Sequence, residues 1–209
     1  MSKIKAILFD MDGVLIDAKE WHYESLNRAL HLFGTEISRY DHLVTFDGLP
    51  TKKKLEMLSM EAGFPEGLHN FVNDLKQVYT LEIVYAKCKP TFHHQYALSK
   101  LKELGYHIAV CSNSVKNSIE IMMQKSNLMP YLDFYLSNQD VTHGKPHPEI
   151  YTKAMQKLGF EPHECLIVED NDNGVKAALA SGAHLLRVET VDEVTYFNII
   201  NKINEIEHA

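Results

Sequence analysis

Ile4-Lys5-Ala6-Ile7-Leu8-Phe9-Asp10-Met11-Asp12-Gly13-Val14-Leu15 places two carboxylates, two residues apart, where an apolar run ends and a glycine begins. The run is short, rich in branched residues and nearly unbroken, which reads as a buried parallel strand delivering Asp10 and Asp12 to its carboxyl end. In an open α/β sheet, ligands gather at that end. Cys165-Leu166-Ile167-Val168 leads in the same way into Glu169-Asp170 and then Asn171-Asp172-Asn173-Gly174. Carboxylates crowded at one sheet edge repel, and each raises the other's pKa unless a cation neutralises them. Two such clusters imply a hard divalent cation, and oxygen-only ligands suit Mg2+. Asp12-Gly13 alone is also a common turn pair; the second acidic cluster turns the reading towards a site.

Two further stretches extend the constellation. His107-Ile108-Ala109-Val110-Cys111 is another apolar run, ending in Ser112-Asn113-Ser114, whose hydroxyls and backbone N–H groups suit phosphate oxygens at a helix N-terminus. Taken singly, Ser112 reads equally as a helix N-cap. Gly144-Lys145-Pro146-His147-Pro148 sets a lysine in a stiff frame, and lysine is a compact point charge suited to phosphate. In isolation Lys145 reads as a solvated loop residue.

With these four stretches the chain resembles the haloacid dehalogenase-like (HAD) phosphohydrolases. Asp10-Met11-Asp12-Gly13-Val14 matches the first motif, Ser112 the second, Lys145 the third and Glu169-Asp170 the fourth, in the family's order. The subgroup it is most similar to holds β-phosphoglucomutase and phosphoglycolate phosphatase. That resemblance implies a Rossmann-like α/β core with a parallel sheet, interrupted after the first strand by a helical, four-helix cap.

The sequence pattern agrees with this layout. From about Ala18 to Val84 helical spacing dominates: Trp21, Ser25, Leu26, Ala29, Leu30 and Phe33 share a face before Gly34; Leu55, Met57, Leu58 and Ala62 precede Gly63; Phe71, Leu75, Val78, Tyr79 and Glu82 form a third stripe. Met57, Met60 and Phe64 read as core residues. Beyond Pro90 helix and strand alternate, with strands at 107–111, 133–137, 165–168 and 184–188, the signature of a parallel sheet with crossover helices. The expected division is a core of residues 1–16 and 88–209 and a cap of 17–87.

The resemblance also implies roles. Asp10 is the nucleophile and Asp12 the general acid–base, with Ser112 and Lys145 on the phosphoryl oxygens. Mg2+ falls to Asp10, the Asp12 backbone carbonyl and Asp170, with Glu169 in or near its coordination shell. Asn113 adds a side-chain amide to substrate binding. The cap selects the substrate through His22 and through Phe46-Asp47-Gly48-Leu49-Pro50-Thr51-Lys52-Lys53-Lys54, a glycine loop opening a helix, with Thr51 and Lys52 as candidate contacts. His22 reads equally as a packing residue between Trp21 and Tyr23. β-Phosphoglucomutase places a phosphate-clamping arginine about where this chain has Thr51, and a threonine where it has Ala18. Lysine lacks the planar bidentate fork of arginine, so hydrolysis of a small phosphomonoester, a sugar or polyol phosphate, is expected over a hexose-phosphate mutase reaction.

Composition narrows the alternatives. The 209 residues can hold one substantial core and a small insert, and 45% are hydrophobic. No run approaches ~18 apolar residues and no signal-peptide pattern opens the chain, so a cytoplasmic protein with no membrane partner is expected. A net charge of −7, from 21 basic and 28 acidic side chains, argues against nucleic acid as partner; a small phosphorylated metabolite is expected instead. No feature of the sequence sets an oligomeric state. Cys88, Cys111 and Cys165 are too dispersed for a disulfide framework or paired-cysteine zinc site. Neither His93-His94 nor His143, His147 and His163 shows familiar zinc-ligand spacing. A two-component receiver domain would place its phosphorylated aspartate on a later strand in a chain little over half this size. A haloacid dehalogenase proper would need neither Asp12 nor a magnesium site.

Overall fold

The computed structural model describes residues 3–46 and 48–208; Asp47, in the expected specificity loop, lies outside them. Two compact units emerge, one of residues 1–17 and 89–209, the other Ala18–Cys88.

The first unit is built on a parallel five-stranded sheet ordered β3-β2-β1-β4-β5: β1 Ala6–Phe9, β2 His107–Cys111, β3 Phe134–Leu136, β4 Cys165–Glu169 and β5 His184–Arg187. β1 lies at the centre because it is apolar on both faces, with all four residues buried. On one face Ala6, Leu8, Ala109, Cys111, Cys165 and Ile167 pack with Ile150, Tyr151, Ala154, Ala177 and Ala178. Those partners come from α7 (Glu149–Leu158) and α8 (Asp172–Ser181). The alternate residues Ile7, Phe9, Ile108, Val110, Leu166 and Val168 are equally buried. α5 (Phe92–Glu103), α6 (Lys116–Lys125) and α9 (Tyr196–His208) complete the unit. The three cysteines are reduced and buried, as packing residues.

The second unit is entirely helical: α1 (Lys19–His31), a short α2 (Arg39–Asp41) running into a π-helical turn His42–Phe46, α3 (Thr51–Ala62) and α4 (His69–Lys87), with a 3-10 turn at Glu66–Leu68. Its core gathers Leu26, Ala29, Leu30, Ile37, Phe46, Leu55, Leu58, Phe64 and Val72. Two expectations need correction. Met60 is 85% exposed, because Leu55 and Leu58 take the buried face of α3. The buried stripe of α4 is Val72, Lys76, Thr80, Ile83 and Val84, one residue round from the apolar series, which leaves Phe71 and Val78 exposed. Polar partners explain the rotation. Thr80 and Ser25 hydroxyls lie 2.9 Å apart, with Lys76 O 2.8 Å from Thr80 and His22 O 3.2 Å from Ser25, so two hydroxyl protons meet enough acceptors whichever way they point.

Candidate active site

The strand ends bring the motif residues together. Asp10 follows β1 directly, Ser112 follows β2, Glu169 closes β4 and Asp170 follows it. Since Phe9 pairs with Val110 on one side and Val168 on the other, these side chains emerge at one level of the sheet. Beyond Asp10 the chain turns sharply: Leu15 and Ile16 N–H donate to Met11 O at 2.9 Å, and Gly13 N–H donates to Ile16 O at 2.7 Å. Gly13 takes φ +89°, a left-handed conformation glycine reaches without steric penalty. The turn presents Asp12, whose Oδ2 accepts a hydrogen bond from the Ser114 hydroxyl at 2.8 Å.

At the centre lies a buried ion network. The Lys145 ammonium donates to Asp10 Oδ1 and Glu169 Oε1, each at 2.6 Å, and sits 4.8 Å over the Tyr151 ring. The Tyr151 hydroxyl donates to the same Glu169 oxygen at 2.5 Å, while Glu169 Oε2 accepts Asp170 N–H at 3.1 Å. Burial disfavours the lysine cation, but the two carboxylates outweigh it and raise its pKa. Asp10 is pushed above the usual carboxylate range, first by burial, with Lys145 opposing and Glu169, Asp170 and Asp12 adding to the rise. One ammonium among four carboxylates leaves an excess of negative charge.

Asp10, Glu169 and Asp170 offer carboxylate oxygens within 4.8 Å of one another. An oxygen-only, buried, net anionic donor set fits Mg2+. Glu169, however, already receives Lys145, Tyr151 and the Asp170 N–H, so Asp10 and Asp170 are the better placed ligands.

Several neighbours have partners that the sequence did not specify. Asn113, expected to contact substrate, turns its amide to the Lys145 backbone: Oδ1 accepts Lys145 N–H at 3.0 Å and Nδ2 donates to Lys145 O at 3.2 Å. Ser112 is not an N-cap; its Oγ accepts Ser114 N–H at 3.0 Å, and Val115 precedes α6. Gly174 is glycine for space. A Cβ there would lie 1.9 Å from Glu169 Oε1, so the carboxylate occupies the first turn of α8, where the helix dipole favours negative charge. Tyr151 carried no signal, because it falls within the apolar periodicity of α7 and reads as core; a buried phenol nevertheless seeks a hydrogen-bond acceptor. In the helical unit, the half-buried His22 ring Nδ1 lies 3.2 Å from Lys76 Nζ. There Thr51 opens α3, with Lys52 exposed beside it.

Comparison with known proteins accords with this arrangement. The family model of haloacid dehalogenase-like hydrolases matches residues 7–188. The chain belongs to that family. Pyrophosphatase PpaX of Bacillus cereus is 28% identical over 186 residues, covering 86% of this chain and 81% of the relative. The crystal structure of β-phosphoglucomutase from Clostridium difficile superimposes with a TM-score of 0.85 at 21% identity, covering 99% of this chain and 100% of that one. CbbY from Rhodobacter sphaeroides, solved in complex with phosphate, gives 0.79 at 20% identity, with 88% and 85% covered. At these identities the two structures speak for the fold, a HAD-type α/β fold. Among the described residues no helix is long and apolar enough to cross a membrane.

Proposed function

We propose that this HAD-family hydrolase is a Mg2+-dependent phosphatase that cleaves a small phosphomonoester, a sugar or polyol phosphate, through an aspartyl-phosphate intermediate. The observation that carries the reading is the Asp10 carboxylate at the end of the central strand, bound by Lys145 and grouped with Glu169 and Asp170.

Asp10 attacks phosphorus in line, forming an O–P bond as the ester P–O bond breaks, and Asp12 gives its proton to the departing alkoxide. Asp12, now a carboxylate, takes a proton from water as the water oxygen attacks phosphorus and the Asp10–phosphorus bond breaks, releasing phosphate. The Ser114 hydroxyl orients Asp12. Lys145 and Ser112 bind the phosphoryl oxygens, and Glu169 with Tyr151 keeps Lys145 in position. When bound by Asp10 and Asp170, the metal offsets charge on the transferring phosphoryl group. Choice among substrates is assigned to His22, Thr51 and Lys52 in the helical unit.

Hydrolysis is favoured over a mutase reaction because both arginines of the helical unit serve other partners. Arg28 pairs with Glu82 at 2.8 Å and covers the Tyr79 ring, and Arg39 pairs with Glu20 at 2.7 Å. Inorganic pyrophosphate is the second candidate substrate, favoured by the name of the Bacillus relatives.

The test is phosphate release from a panel of sugar, polyol and glycolate phosphates and pyrophosphate, with and without Mg2+, for wild type and Asp10→Asn. Loss of the nucleophile is expected to lower kcat by at least about 10³-fold, roughly 4 kcal/mol in activation free energy. Asp10→Asn activity within tenfold of wild type removes Asp10 from the nucleophile role. Glucose 6-phosphate formed from β-glucose 1-phosphate and a trace of bisphosphate, with little free phosphate, replaces the hydrolase reading with the mutase.

A further inference from the structure

The loop that delivers Lys145 has two sides. In His143-Gly144-Lys145-Pro146-His147-Pro148-Glu149 the lysine is buried, while His143 and His147 are exposed. Asn113 grips the Lys145 backbone from within. On the exposed side one nitrogen of each imidazole and a carboxylate oxygen of Glu149 come within 4.8 Å of one another, and the two rings lie 4.9 Å apart.

We propose that His143, His147 and Glu149 form a second metal site, for a borderline transition-metal ion such as Zn2+, which bolts together the two ends of the Lys145 loop. Two imidazoles and one carboxylate are a recurrent zinc donor set that leaves a fourth position for water. Nitrogen donors select Zn2+, Cu2+ or Ni2+ over Mg2+, which prefers oxygen. The two sites therefore sort metals by donor chemistry, the buried all-oxygen cluster for the hard ion and the exposed N2O cluster for the borderline one.

Glu149 is anchored beside the two rings, and a metal there would take the place of Lys153 and of the His143 ring at its oxygens. Its Oε1 accepts Thr142 N–H at 2.9 Å and pairs with Lys153 at 2.9 Å, while Oε2 accepts His143 N–H at 2.9 Å and faces His143 Nδ1 at 3.2 Å. Metal–ligand bonds of about 2.1 Å place tetrahedral donors about 3.4 Å apart. Closing from 4.8 Å or less needs only small rotations of exposed rings. A simple surface ion pair would need one histidine. The second imidazole is fixed by its Nδ1, which accepts Glu149 N–H at 3.3 Å, so Nε2 is the His147 nitrogen left for a metal. The familiar helical spacing is absent because the donors span a bent loop and the first residue of α7.

The experiment titrates Zn2+ by calorimetry into the untagged full-length protein with excess Mg2+ present to fill the acidic cluster, and in parallel records Cu2+ electron paramagnetic resonance. One equivalent of Zn2+ is expected to bind. His143→Ala/His147→Ala should weaken it at least about tenfold while His163→Ala leaves it unchanged. Cu2+ should show nitrogen hyperfine structure in wild type that the double variant loses. Both histidines are exposed, so the double variant should keep its thermal unfolding midpoint and its Mg2+-dependent phosphatase activity, which separates this proposal from the catalytic assignment. Equal Zn2+ affinity in wild type and double variant, or a Cu2+ signal with oxygen ligands alone, overturns the site.

Discussion

At the carboxyl end of β1 the buried polar groups are ions facing ions, whereas between α1 and α4 they are chiefly hydroxyls facing carbonyls. Lys145 stands between Asp10 and Glu169 at 2.6 Å from each, with Tyr151 closing the network. Ser25 and Thr80 share protons with one another and with main-chain oxygens one helical turn away. The two kinds of burial fail differently. Removing one member of a buried ion group leaves an uncompensated charge, about 3–5 kcal/mol, while a lost neutral hydrogen bond costs about 1 kcal/mol. Perturbations at the sheet end should therefore be read in turnover, and those in the helical unit in stability.

The largest effect expected after loss of the nucleophile comes from Gly174→Ala. The added methyl lands 1.9 Å from Glu169 Oε1, so the carboxylate must leave the N-terminus of α8 and release Lys145 and Tyr151. A fall in kcat of about 100-fold is expected, with helix content retained, because alanine favours a helix more than glycine does. Wild-type kcat in a folded Gly174→Ala protein would show that Glu169 does not need its place.

A buried histidine away from the network sharpens the contrast. His94 Nε2 lies 2.9 Å from Val191 O, which can only accept, so Nε2 carries the proton and Nδ1 accepts the Thr91 hydroxyl at 2.8 Å. Burial lowers its pKa to about 4. Above pH 6.5 the imidazole is neutral folded or unfolded. As pH falls from 6.5 towards 4 the unfolded chain takes up the proton first, so stability drops, by roughly 3 kcal/mol in all. His94→Gln lacks that titration, and the stability gap between wild type and variant should narrow over this window in denaturant melts. A constant gap would place the histidine's protonation elsewhere.

Tyr151→Phe is expected to matter less. The ring remains beneath the Lys145 ammonium and Glu169 keeps its ion pair, so only one donor to the carboxylate is lost. A roughly tenfold fall in kcat is expected, with KM little changed, because Tyr151 positions Glu169 and touches no substrate in the proposed scheme. A rise in KM at constant kcat would make it a binding residue.

The same contrast explains what the sequence made legible. Apolar strand followed by acid is a pattern the eye can follow, so the parallel sheet and the convergence of Asp10, Ser112 and Glu169-Asp170 at its end could be anticipated. Tyr151 was hidden by its own hydrophobicity, and the hold of Asn113 on the Lys145 backbone by a loop contact across 32 residues. His143, His147 and Glu149 meet only because the loop bends. In α4 the apolar periodicity pointed to Phe71 and Val78, since hydrophobicity alone does not register that Lys76 and Thr80 have partners inside.

Thr80→Val tests that last point and carries the smallest effect. Valine keeps the shape and removes the hydroxyl, leaving the Ser25 hydroxyl free to donate to His22 O at 3.2 Å. No buried donor is stranded, so the expected loss is only the net worth of one neutral hydrogen bond, about 1 kcal/mol, read from urea denaturation at unchanged m-value. Phosphatase kcat should be unaltered, because Thr80 has no part in the proposed chemistry. Should valine instead stabilise the protein, the polar stripe between α1 and α4 is not held for stability, and the ranking of ionic above neutral burial no longer separates the two units. A fall in kcat without loss of stability would break the comparison from the other side, by tying the helical stripe to turnover.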